Sequence, residues 1–183
     1  PSEPRTGDSV QLTILEVFDK ELAAQGNVPV HSTVWRKLNS ETVVEGDMLP
    51  SSATERGDVW VVEVVASDPY GASVPASETV SIYNTPPSVG DVGLERDGTG
   101  VESSHTCIPQ AIQDADGDAV TFKYKWYAGP GTDSLQQLDN DGATLIPSAA
   151  MLGGKEKRLW KDDVVQCTVT PFDGFANGDE MQS

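Results

Sequence analysis

The stretch GDVWVVEVVASDPYG, residues 57–71, can be laid over KDDVVQCTVTPFDGF, residues 161–175, without a gap. With Asp58 over Asp163, Val59 falls on Val164, Val64 on Val169, Asp68 on Asp173 and Tyr70 on Phe175. Working outward, PVHSTVW, which ends at Trp35, lies over VTFKYKW, which ends at Trp126. Further upstream, Asp19 lies over Asp114 and Leu12 over Cys107. The offset between the copies moves from 95 to 91 to 105 along the chain, as insertions in loops would make it. This is a tandem duplication of a module of about 95 residues, the size of a domain.

Each module reads as strands. VQLTI, VHSTVW, VWVVEVV, TVSIY, VTFKYKW and VVQCTV alternate or run apolar and are rich in β-branched and aromatic residues. Turn formers stand between them: SDPYG, NTPP, ERDGTG, AGPGTD, DNDG and FDGF. FDKELAA, residues 18–24, is the one helix-like stretch and is too short to carry a helical domain. The expected fold is all-β, two sandwiches in series, with module one at residues 1–83, a linker at 84–87 and module two at 88–183.

Composition narrows the function. A net charge of −17 repels phosphate backbones and anionic lipid, so nucleic acid is not an expected partner. The chain has no apolar run of about 18 residues, so no direct membrane insertion is expected. It opens without a basic and apolar leader, so a targeting segment is expected outside it. Such acidity suits divalent cations, a saline habitat or plain solubility.

In module two, Cys107, Trp126 and Cys167 fall in that order on three strands. The order resembles the immunoglobulin pattern, in which a disulfide joins the two sheets and a tryptophan packs on it. That resemblance implies two tandem immunoglobulin-like β-sandwich domains, a Cys107–Cys167 bridge, and Trp35 and Trp126 as core residues. Module one has Leu12 and Val62 at the cysteine positions, so an apolar contact stands in for the bridge there. The alternative is a pair of buried free thiols in a reducing compartment; oxidation points outside the cytoplasm.

NTPPSVGDV, DADGDAVTFKYKW, DDVVQCTVTPFDG and, more weakly, GDVWVVEVVASDPYG resemble the repeated Ig-like and cadherin-like modules of large bacterial surface and secreted proteins. The likeness covers most of residues 84–175 and, more loosely, 7–83. It implies an extracellular or cell-surface, non-enzymatic array element that acts as spacer, adhesive or fibre-forming module. Module one departs from it: DKELAAQGN replaces the acidic run and keeps only Asp19.

The acidic run DADGD, residues 114–118, admits two readings. Carboxylates at alternate positions can converge on calcium when the backbone loops. An EF-hand fails, because Ala119 and Lys125 occupy the positions that need Gly and Glu. A cadherin-like set would draw on Asp114, Asp116 and Asp118 together with Asn84 of the linker and Asp68 of module one. The other reading is an acidic turn whose aspartates cap backbone N–H groups.

Catalysis finds little support. His31 and His105 fall on strands with no nucleophile near in sequence, and none of the common hydrolase, phosphate-loop or metalloprotease motifs occurs. Trp60 and Trp160 lie outside the Cys–Trp pattern; either one, if exposed, could meet glycan or protein, and otherwise both pack in a core.

The repeat frame also leaves module two without its last strand and module one without its first. Either the chain is a slice of a longer array, or neighbouring repeats or identical subunits supply the strands by pairing. The alternative function is an accessory binding or spacer module of a secreted carbohydrate-active enzyme.

Overall fold

In the computed structural model, residues 2–14, 16–25 and 27–183 are described, with the backbone alone of Glu21. The chain divides into two compact units, Pro1–Thr85 and Pro86–Ser183, with the division inside the NTPP linker. Both are all-β sandwiches of immunoglobulin-like topology, the second with three strands on one sheet and four on the other.

In unit one the strands are β1 (Val10–Gln11), β2 (Val30–Lys37), β3 (Val43–Glu45), β4 (Met48–Leu49), β5 (Val59–Asp68), β6 (Gly71–Ala72) and β7 (Ala76–Ser81). A single turn of helix, α1 (Lys20–Ala23), follows β1. One sheet runs β3-β2-β5-β6 with β7 also on β5, and the other is β1-β4. The β-branched run of β5 suits its place as the central strand, paired on both edges. Trp35, Trp60, Val62, Leu49, Val10 and Ile82 form the core.

Unit two holds β8 (Ser88–Arg96), β9 (His105–Gln113), β10 (Thr121–Gly129), β11 (Gln136–Gln137), β12 (Thr144–Leu145), β13 (Met151–Leu152), β14 (Lys155–Glu156), β15 (Val164–Phe172) and β16 (Met181–Gln182). Its sheets run β11-β10-β15-β16 and β12-β9-β8, and β13-β14 is a separate hairpin. Trp126, Cys107, Cys167, Val169, Leu145, Val89 and Val92 belong to one core.

The duplication holds at the level of pairing. Trp35 faces Val62 across the strands as Trp126 faces Cys167. Val10 pairs with Leu49 as His105 pairs with Leu145. The two matched indoles each donate their N–H to the carbonyl of the matching glycine: Trp35 Nε1 to Gly46 O at 2.9 Å, and Trp126 Nε1 to Gly142 O at 2.8 Å. Part of the offset drift has a location. Hairpin β13-β14 falls between the matched short 3-10 turns (Ser51–Ala53 and Pro147–Ala149) and the matched long strands β5 and β15.

Two sequence expectations are corrected. Unit two does not stop before its last strand: β16 pairs Met181 with Val169 and Gln182 with Thr168. The connection from Asp173 to Met181 is as long as that from Asp68 to Ala76, so the strand begins in the same register and β15 is not a bare edge there. VQLTI, in contrast, enters a ladder only over Val10–Gln11.

Candidate functional site

The DADGD segment follows β9 and turns the chain into β10. Asp114 makes that turn: its Oδ1 accepts from the Asp116 N–H at 2.9 Å and the Asp118 N–H at 3.0 Å. Gly117 sits at φ 75°, a left-handed conformation that glycine adopts without strain. The capping reading of the aspartates is therefore real for one oxygen of Asp114. The other, Oδ2, is buried and has no hydrogen-bond partner.

Asp173 comes to the same place from the end of β15. Its Oδ1 accepts from the N–H groups of Phe175 and Ala176, both at 2.6 Å, and the residue is only 5% exposed. One carboxylate oxygen each from Asp114, Asp118 and Asp173 lie within 4.8 Å of one another. Calcium–oxygen distances are about 2.3–2.6 Å, so oxygens on opposite sides of one ion stand at most about 5 Å apart, and this trio fits on a single ion. Calcium takes about 6–8 oxygens, so carbonyls or water would complete the shell.

The ligand set differs in part from the one expected. Asp114 and Asp118 come together, whereas Asp116 is not in the trio. Asn84 and Asp68 belong to unit one. Asn84 Oδ1 accepts from Arg56 at 2.9 Å, and Asp68 Oδ1 accepts from the N–H groups of Tyr70 and Gly71 at 2.8 and 2.7 Å. Sequence reasoning passed over Asp173, although the repeat register already set it over Asp68.

Cys107 and Cys167 form a disulfide between β9 and β15, which lie in different sheets. Trp60 is buried without exposure, and Trp160 is 61% exposed with the Arg158 guanidinium 4.9 Å from its ring centre. His31 Nε2 lies 3.1 Å from Asp47 Oδ2, and Thr33 Oγ1 donates to Asp47 Oδ1 at 2.6 Å. The Thr33 bond, reinforced by His31, holds the Asp47 carboxyl below the ordinary carboxylate range.

No protein-family model and no curated protein matches the chain. Among solved structures it is similar to a two fibronectin type-III domain segment from chicken tenascin, at 11% identity and TM-score 0.41, over 96% of this chain and 89% of that one. It is also similar to the FN1–FN3 domains of chicken CNTN1, at 12% identity and TM-score 0.29, over 84% and 54%. A third is the A168–A170 segment of titin, at 14% identity and TM-score 0.31, over 84% and 51%. The chain thus spans about half the length of the latter two.

Proposed function

We propose that the chain is a pair of non-catalytic extracellular modules that serve as structural spacer, adhesive or fibre-forming element of a surface protein or filament, with calcium held at the acidic loop of unit two. Its partners in this reading are neighbouring modules of the same kind. The observation that carries it is the duplication: one sandwich, with one tryptophan and one strand register, is built twice in a chain. The disulfide supports an oxidising compartment. The calcium part rests on the three convergent carboxylates and the unpartnered Asp114 Oδ2.

Calorimetric titration of the whole protein with calcium tests the metal. Melts of unit two in calcium and in chelator should differ, by about 2.7 kcal/mol when calcium is a hundredfold above its dissociation constant. Asp118→Asn should abolish the difference. No heat and coincident melts would remove calcium from the reading. The array itself is tested by the flanking reading frame: further modules in this register support it, and a catalytic domain next door supports the accessory role instead.

One observation favours that second reading. Trp160 presents an aromatic surface beside Arg158, while Trp35, Trp60 and Trp126 are buried. An exposed tryptophan is a platform for a sugar ring. Quenching or blue shift of Trp160 fluorescence by soluble glycans, lost in Trp160→Ala, would establish it.

A further inference from the structure

The matched turns that lead into β5 and β15 are built alike and carry different side chains. In unit one the turn at residues 55–58 is closed twice: the Glu55 N–H donates to Asp58 Oδ2 at 3.2 Å, and the Asp58 N–H to Glu55 O at 3.1 Å. Unit two repeats both bonds, from the Trp160 N–H to Asp163 Oδ2 at 2.9 Å and from the Asp163 N–H to Trp160 O at 3.1 Å. Trp160 thus stands where unit one has Glu55. There Lys37 Nζ lies 2.7 Å from Asp58 Oδ1 and 3.9 Å from Glu55 Oε2, so the turn of unit one is internally neutralised. The route into the turn differs as well. Unit one goes from Ala53 to Glu55 directly, and unit two goes from Ala149 to Trp160 by way of hairpin β13-β14. Unit one folds without this detour, so what the detour carries is not owed to the sandwich.

It carries positive charge in an acidic chain. Residues 155–161, KEKRLWK, hold four of the 12 Lys and Arg residues and only one of the 29 Asp and Glu. Arg96 comes to the same place from the end of β8: with Trp160, Lys161 and Asp163 it lines a cavity of about 140 Å³ that Leu94 and Leu159 help to wall. Arg96, Arg158 and Lys161 hold no carboxylate among the described residues, whereas Arg36, Lys37 and Lys125 each hold one. Asp163, the acidic residue of the wall, is committed to the Trp160 N–H. One donor of Arg96 goes to Gly100 O at 2.5 Å, and the side chain is otherwise exposed. These cations are left for an anion from outside.

We propose that this cavity binds a carboxylated sugar, with the Trp160 ring as platform and Arg96 and Lys161 as partners of the carboxylate. Arg158, 4.9 Å from the ring centre, backs the indole, and Trp160 is still 61% exposed. A guanidinium fork matches a carboxylate with two parallel hydrogen bonds, and Lys161 adds a second positive charge. The cavity is well below the range of about 300–1,000 Å³ that encloses a drug-sized ligand, so it admits one sugar unit. A net charge of −17 repels a polyanion, which limits the occupant to one acidic unit on an otherwise neutral glycan. The inference rests on the glycan reading of Trp160 and adds the charge which that glycan carries.

The experiment titrates the full 183-residue protein with two matched pairs, cellobiouronate against cellobiose and sialyllactose against lactose, followed by tryptophan fluorescence and calorimetry. In at least one pair the acidic member should bind about tenfold or more tightly than its neutral parent, as a hydrogen bond to a charged group gives. The pair that responds tells a uronate from a sialate. Arg96→Gln combined with Lys161→Gln should bring the acidic sugar down to the affinity of the neutral one, and added salt should narrow the gap in the parent protein. Trp160→Ala should weaken both members, and circular dichroism with a thermal melt checks that each variant folds. Equal binding within both pairs would overturn the inference and leave Trp160 as a platform for neutral sugars. No binding of any of the four at millimolar concentration would overturn the inference and the glycan reading together. A hexaglutamate peptide that binds as tightly as the acidic sugars, and that Trp160→Ala leaves unaffected, would make this an acidic-peptide surface and overturn the sugar.

Discussion

Unit one and unit two keep the same centre and differ at its margins. Both bury a tryptophan whose indole N–H is tied to a glycine carbonyl. Around it, unit two has a disulfide where unit one has Leu12 and Val62, and a third carboxylate where unit one has the helical turn α1. The lesson is about what the sandwich needs. The tryptophan and the pairing of the long central strands set the topology, and the bridge and the acidic loop are additions that a unit can carry or lack. Copying a feature of one unit into the other is therefore the direct way to weigh it.

The bridge is the largest difference. Replacing Cys107 by Leu and Cys167 by Val copies unit one into unit two. A loop of 60 residues loses about 4 kcal/mol of stabilisation by the chain-entropy relation when its bridge is removed. Unit two should accordingly melt earlier while unit one is unchanged, as exchange-resolved melts would report. The aliphatic pair should recover part of the loss relative to a double alanine variant, which leaves a cavity. If the aliphatic pair matches the parent protein, the disulfide contributes nothing beyond packing and the contrast between the units loses its main term.

Next come the matched aspartates that close the turn after the central strand. Asp68 and Asp173 each accept from two backbone N–H groups, two and three residues on. Asp68 is partly exposed and Asp173 buried, so water can replace the first set of bonds more readily than the second. Asp173→Ala should cost unit two about 2–3 kcal/mol, and Asp68→Ala should cost unit one about 1 kcal/mol. Urea titrations of the two variants make the comparison. Should Asp173→Ala prove neutral or stabilising without calcium, relief of repulsion within the carboxylate trio outweighs the lost capping.

Much of this was legible in the sequence because it rests on short-range pattern. Alternation in VTFKYKW fixed β10 with Trp126 inward, and the gapless match of residues 58–70 to 163–175 set β5 and β15 in one register. The Cys…Trp…Cys order led to the bridge. Less legible was anything that depends on partners distant in sequence. VQLTI has the composition of a strand, but a ladder needs a neighbour, and after Gln11 the described residues provide none. Asp173 meets Asp114 only through the sandwich, 59 positions away, and nothing in DADGD announces it. The return to β16 has no strand-like pattern of its own in GDEMQS, and its place follows only from the equal length of the two connections.

The smallest expected effect is a pH dependence confined to unit two. His105 opens β9 at the position where unit one has Val10. Its Nδ1 is buried without a hydrogen-bond partner. Burial lowers its pKa from the ordinary histidine value, the Arg96 guanidinium lowers it further, and a backbone hydrogen bond at Ser103 opposes both. The folded protein thus binds this proton less readily than the unfolded chain. The corresponding stability is fully present above the unfolded value of about 6.5 and is lost as pH falls through it toward the folded value. Between pH 7.5 and pH 5.5 unit two should lose a little stability that His105→Val, the residue of unit one, does not lose. Carboxylates titrate mainly below that window, so the difference between parent and variant isolates the imidazole. Urea midpoints with the same slope against pH in both proteins would show that His105 sheds its proton as easily folded as unfolded, and that its burial is compensated by solvent.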